Sequence, residues 1–179
     1  VGLANYRSIF ASGEFPAALG VTLWYAALAI PTAIGLALVF AVLLQRRSRS
    51  NAVFRTLYFL PYVTSTVAAA AVWRWILHPD RRGLANAVLG WFGADPVRFT
   101  EDGRGVLALL LGGPVPLLGH GPSPALLSVV LFAVWHVLGF YAIILSAGLA
   151  QVPREVYEAA SLDGAGPVRS FFSITLPLL

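Results

Sequence analysis

PREVYEAASLDGAGPVRSFFSITLP, from Pro153 to Pro177, is the stretch whose punctuation decides how the rest of the chain is read. Pro153 suits the first position of a helix, where its missing N–H would have had no partner in any case. A short helix then fits Arg154 to Leu162, with Glu155 and Glu158 in the early turns near the positive end of the helix dipole. Asp163-Gly164-Ala165-Gly166-Pro167 stops it, because glycine accepts positive φ and proline cannot carry the ladder onward. A second short helix is expected from about Val168 to Ile174-Thr175-Leu176, with Pro177 bending the chain beyond it. The product is a helix–turn–helix knuckle whose small residues Ala159, Ala160 and Gly164 let another backbone come close. It reads as a docking surface.

Working outward, the 179 residues are 58% hydrophobic and only 11% charged, with a mean hydropathy of +0.78. A soluble domain would carry roughly 25% charged residues. So apolar a chain cannot hide its side chains in one aqueous core of this size, and lipid is the expected solvent. The absence of cysteine removes disulfides and thiolate metal sites. All twelve basic residues are arginine. They flank apolar runs rather than interleaving with aromatics, which argues against a nucleic-acid surface.

Three apolar runs precede the knuckle: Val21 to Leu44, Thr56 to Leu77 and Pro124 to Ala150. Each is long enough, at 1.5 Å rise per residue, to cross a hydrocarbon layer of about 30 Å. Pro31 and Gly35 in the first are tolerated in membrane helices and read either as a kink or as neutral packing positions. Tyr6, Ile9 and Phe10 recur at helical spacing, so residues 1–20 read either as a helix lying on the membrane surface or as an irregular lead-in. Val106 to Leu118 is apolar, but it is short and broken by Gly112-Gly113-Pro114 and Pro116. A surface-lying or re-entrant piece is expected there.

Arginines set the orientation. Gln45 to Arg55 carries Arg46, Arg47, Arg49 and Arg55 with no acid. The longer connection from His78 to Ser123 has four arginines accompanied by Asp80, Asp95, Glu101 and Asp102. Basic density beside the spans marks the short loop as cytoplasmic. The second run then leads out, the third leads back, and the knuckle lies inside the cell.

Catalytic chemistry finds no foothold. His78, His120 and His136 are scattered, and no catalytic residue, metal ligand or cofactor site is expected. With no lysine there is no phosphate-cradling Gly-x-x-x-x-Gly-Lys motif, so nucleotide binding is not expected of this chain. Polar groups at membrane depth remain as candidates for a solute path: Thr64, Ser65, His136 and Tyr141. Each has a structural alternative, since hydroxyls bond their own helix carbonyls and a histidine can bond a neighbouring helix. Arg74, between Trp73 and Trp75, reads as an interfacial anchor that snorkels outward.

Glu158-Ala159-Ala160, three residues, Gly164, nine residues, Ile174, one residue, then Leu176-Pro177 resembles the EAA loop of permeases in binding-protein-dependent, ATP-driven importers. Gly2-Leu3-Ala4-Asn5-Tyr6, Phe59-Leu60-Pro61-Tyr62, Val72-Trp73-Arg74-Trp75 and Ala147-Gly148-Leu149 are similar to the sugar and glycerol-3-phosphate branch of that family. The resemblance implies an all-α, multi-span permease of the type I ABC importers in a prokaryotic inner membrane. Three spans would be present in a single transmembrane domain that lacks one helix before residue 1 and two after residue 179. It implies that Glu155, Glu158, Ala159, Ala160, Asp163, Gly164, Ile174, Leu176 and Pro177 dock an ATPase subunit. Its other implied partners are a second permease subunit and an extracytoplasmic solute-binding protein. The alternative is an ion-coupled secondary transporter or channel, but no expected span holds the Asp, Glu or Lys that would bind a coupling ion.

Overall fold

The computed structural model describes residues 2–43, 49–106 and 121–179. Every regular element among them is helical, the form in which a segment in lipid satisfies its own backbone. Helix α1, Ala4–Ala11, is exposed along its whole length. After a turn, α2 runs over Glu14–Leu43 and passes through Pro31 without ending. It starts earlier than the expected Val21, because Pro16 falls in the first turn, where its missing N–H has no partner to lose. Leu44, Arg46, Arg47, His120 and the stretch 107–118 lie outside the described residues.

Where the sequence suggests one span over Thr56 to Leu77, the chain forms two helices. These are α3, Arg49–Val63, and α4, Thr66–Ile76, bent by 99° at the break. Ser65 takes ψ 122°, an extended backbone that interrupts the helical ladder. Apolar run length carries no signal for that torsion. Helix α5 follows at Leu84–Trp91, and α6 at Pro124–Leu149. The described residues thus hold two helices long and apolar enough to cross a membrane, α2 and α6, or three if the bent pair counts as one span.

The chain divides into two compact units: Val1–Thr32 with Thr64–Trp135, and Ala33–Val63 with His136–Leu179. In the first unit, Trp73 of α4 meets Phe132 and Trp135 of α6, with ring centroids 6.0 and 5.5 Å apart. The loop beyond α4 is pinned by Asn86, which is 2% exposed. Its Nδ2 shares two hydrogens among the carbonyls of His78 (3.0 Å), Pro79 (3.2 Å), Asp80 (3.3 Å) and Val97 (2.9 Å). Its Oδ1 accepts the Val97 N–H at 2.8 Å. Ser128 on α6 donates to the Phe99 carbonyl at 3.0 Å. Nearby, the Arg104 guanidinium donates to both carboxylate oxygens of Asp102, at 3.0 and 2.8 Å. That side-chain bonding, with help from the Arg104 backbone N–H, holds the carboxyl down at about 2.

In the second unit small residues set the packing. Ala33, Ala37 and Ala41 recur every fourth position on α2 and are buried at 4, 0 and 0% exposure, the spacing that lets membrane helices approach closely. Phe40 lies edge-on to Tyr58 of α3 at 5.7 Å, and Tyr62 stacks on Phe140 of α6 at 4.5 Å. Gly139 marks the tightest approach: a Cβ there would fall 2.7 Å from the Phe59 Cα and from the Tyr58 carbonyl carbon. Ile34, Val39 and Ile144 are among the large apolar side chains left exposed, as a lipid-facing surface requires.

Candidate functional site

The knuckle follows α6 directly. Helix α7 covers Arg154–Leu162, the bounds its punctuation suggests, with Pro153 at its N-cap in extended conformation. Its end is a complete glycine cap. Gly164 sits at φ 74°, where its N–H donates to the Ser161 carbonyl at 3.1 Å, and the Ala165 N–H reaches back to Ala160 O at 2.9 Å. Those two bonds satisfy carbonyls that the helix itself leaves orphaned, and the left-handed torsion strongly favours glycine. Helix α8, Pro167–Ser170, then runs into a π-helical turn at Phe171–Thr175 and a last helical turn, α9, at Leu176–Leu178. The second arm therefore stays helical through Pro177, where a bend is the sequence expectation. Pro177 sits early in the new turn, where a missing N–H is tolerated.

One face of α7 is open and the other is engaged. Glu155, Glu158, Ala159 and Leu162 are exposed and stand at i, i+3, i+4 and i+7, so they form a single stripe. Leu162 is 88% exposed, an apolar tip that the motif spacing alone does not single out. Ala160 is buried and Val156 and Tyr157 are half-buried on the other side. There the second unit encloses a groove of about 1060 Å³ lined by Arg154, Tyr157 and Ser161 of α7 and by Pro167, Phe171 and Thr175 of the second arm. Among the described residues no ion pair joins Arg154 to Glu158, so the stripe keeps its carboxylates for solvent or a partner.

Tyr157 and Thr175 are further residues that the spacing does not reveal. Their hydroxyls lie 3.1 Å apart, Thr175 is 7% exposed, and its Oγ1 also reaches the Ser170 carbonyl at 3.4 Å. This bond ties α7 to the π turn. The other motif residues spread over the knuckle. Asp163 and Gly164 are exposed in the turn, Ile174 is half-buried, and Leu176 and Pro177 are exposed on the second arm.

The solute-path candidates divide between the units. Thr64 and Ser65 occupy the α3–α4 break in the first. His136 and Tyr141 lie on α6 in the second, five residues apart and thus roughly 140° apart around the helix, on different faces. The His136 ring is 6.3 Å from that of Tyr62, whereas Tyr141 lies exposed beside Phe140. Among the described residues no group of three or more His, Cys, Asp or Glu side chains is placed to hold a metal ion.

Comparison with known proteins adds three kinds of likeness. The family described as "Binding-protein-dependent transport system inner membrane component" matches residues 33–179. Over the whole chain, "Probable ABC transporter permease protein YesP" of Bacillus subtilis (strain 168) is 35% identical, with 52% of that protein covered. The "sn-glycerol-3-phosphate transport system permease protein UgpA" of Salmonella choleraesuis (strain SC-B67) is 31% identical, with 54% covered. The "Trehalose/maltose transport system permease protein MalF" of Thermococcus litoralis is also 31% identical, again with 54% covered. The chain thus spans about half the length of the curated relatives it matches. A chain in the crystal structure of a bacterial alginate ABC transporter, in complex with an alginate pentasaccharide-bound periplasmic protein, has the same fold. The TM-score is 0.77 at 23% identity, over 99% of this chain and 56% of that one.

Proposed function

Because the chain belongs to the family of binding-protein-dependent transport system inner membrane components, we propose that it is part of the permease subunit of an ATP-driven importer. Its solute is of the carbohydrate or glycerol-3-phosphate class, in line with the relatives named for such solutes. ATP is hydrolysed by a separate ATPase subunit, against which the exposed stripe of α7 docks. Closure of the ATPases moves the knuckle, and the spans alternate between facing out and facing in. A second permease subunit completes the path, and an extracytoplasmic binding protein delivers the cargo. Thr64, Ser65, His136 and Tyr141 are the proposed path residues.

The observation that carries this reading is the construction of α7. A nine-residue helix capped at its end by a glycine presents two carboxylates and a bare leucine on one side. A lone exposed leucine is ordinary on a protein surface; set on one stripe with two carboxylates and the small Ala159, it belongs to a face that combines charge with room for close approach. The reading is tested in the full-length permease with its partner subunits, by placing a cysteine at Ala159 and cross-linking in membranes. A product joining the permease to the ATPase is expected, with a yield that changes when ATP is added. Solute uptake by vesicles should follow ATP and ignore an ion gradient. Uptake driven by the gradient alone, without a cross-link to any nucleotide-hydrolysing subunit, would overturn it.

A further inference from the structure

At the C-terminal end of α4 the first unit holds a second cavity, remote in sequence from the knuckle. It measures about 590 Å³ and is lined by Arg74, His78, Asp80, Arg98, Thr100 and Glu101. That volume accommodates one or two sugar rings and is too small for a protein domain. Its walls are held with unusual rigor. The backbones of His78 and Asp80, and the residue before Arg98, are all fixed by the buried Asn86 carboxamide, and Phe99 is held by Ser128. Asn86 satisfies the loop's own backbone groups, and in doing so it sets the backbone of the cavity wall in place before a ligand arrives.

The lining decides the chemistry. Arg74 and Arg98 bring two positive charges, Asp80 and Glu101 two negative ones, so the cavity carries no net charge from these four. Asp102 is bound by Arg104 and also feels the Arg98 charge, and Asp80 lies 3.8 Å from His78 Nδ1. An anion site would exclude carboxylates, and a cation site would exclude guanidinia. A neutral hydroxyl group donates and accepts at once, and charged donors and acceptors both form strong hydrogen bonds with it. Among the described residues no ion pair engages Arg74, Arg98 or Glu101, and all three are exposed, so a ligand would displace water from them without breaking an ion pair. The cavity also shares Arg74 and Thr100 with a smaller recess of about 230 Å³, where Trp73, Leu77 and Phe132 present apolar surface. Polar edges beside an aromatic floor fit a sugar ring, with hydroxyls around its rim and C–H bonds on its faces.

We infer that this cavity is a saccharide site on the extracytoplasmic side of the permease, separate from the solute path proposed within the spans. The inference rests on the importer reading above and names a place where the cargo pauses before it enters the membrane. The test uses the full-length permease complex in detergent, without its binding protein, and saturation-transfer NMR with glucose, maltose, trehalose and raffinose. At least one sugar should receive saturation at its ring C–H protons. Arg98→Gln and Glu101→Gln should each weaken its binding at least tenfold, and Trp73→Leu should reduce transfer to the C–H protons. Gel filtration of each complex reports folding, and the near-isosteric Glu101→Gln serves where Arg98→Gln fails to assemble. The inference is overturned if none of the four sugars binds. It is overturned equally if binding survives both polar variants, or if inorganic phosphate or sn-glycerol 3-phosphate binds there in their place. ATP-driven uptake that persists without binding at this cavity would defeat this inference alone, whereas sugar binding without ATP-driven uptake would defeat the importer reading alone.

Discussion

Between the two arms of the knuckle stands a bond of two hydroxyls, Tyr157 to Thr175 at 3.1 Å. Force applied to α7 reaches the spans only if the arms move together, and a bond with one partner 93% buried resists slipping. Such a bond stabilises the closed arrangement by about 1 kcal/mol, or roughly fivefold in the balance between joined and parted arms. Tyr157→Phe removes the hydroxyl and keeps the ring, so cross-linking of α7 to the ATPase should persist while solute moved per ATP hydrolysed falls severalfold. Thr175→Val should do the same, and Thr175→Ser should restore the ratio. The measurement is transport against ATP hydrolysis in proteoliposomes containing the full complex. A Tyr157→Phe protein with the parent's ratio would show that the bond only packs the loop. Eighteen residues separate the pair, so neither shows up in motif spacing. Glu155, Glu158 and Ala159, by contrast, share a face that follows from 3.6 residues per turn alone.

Elements were legible in the sequence where their signals are local. Pro153 and Gly164 punctuate both ends of α7 and Pro167 the start of α8, so those bounds can be read directly, whereas the change to a π turn after Ser170 carries no such mark. The α3–α4 break is hidden because it resides in one torsion, ψ 122° at Ser65, inside a run that stays apolar on both sides. The α3–α6 contact is hidden for another reason: Gly139 and Phe59 are distant along the chain, and a glycine among apolar residues reads as neutral. The contact nonetheless makes a firm prediction. In Gly139→Ala the new Cβ would press on the α3 backbone, which cannot yield as a side-chain tip would, and the overpacking should destabilise the protein by about 1–3 kcal/mol. Thermal unfolding of the full-length permease, followed by fluorescence-detected gel filtration, should show a lower midpoint. Gly35→Ala is the matched control, since its Cβ would meet nothing within 4 Å, and it should hold the midpoint or raise it slightly, alanine being the better helix former. Equal midpoints for the two variants would refute the close approach as a packing constraint.

For the whole molecule, the number of crossings decides which side the knuckle faces, and the bent pair makes that number a physical question. Among the described residues between 50 and 158, the candidates for crossing are the α3–α4 pair and α6. If the pair crosses the membrane, two crossings return residue 158 to the side of residue 50. If the pair enters and leaves by the same face, one crossing puts them on opposite sides. The four arginines of residues 45–55, with no acid among them, favour the cytoplasmic side for that stretch. An ATPase can engage α7 only there, so the docking proposal requires the pair to cross. The segment contains no cysteine, so single cysteines placed at Ser50, Asp95 and Glu158 add no background from it. In intact cells a membrane-impermeant maleimide should label position 95 of the full-length permease and spare 50 and 158. All three should react once the membrane is opened. Protection of 95 together with 50 would mean that the pair does not cross, labelling of 158 together with 95 that α6 does not, and in either case α7 could not be where nucleotide hydrolysis drives it.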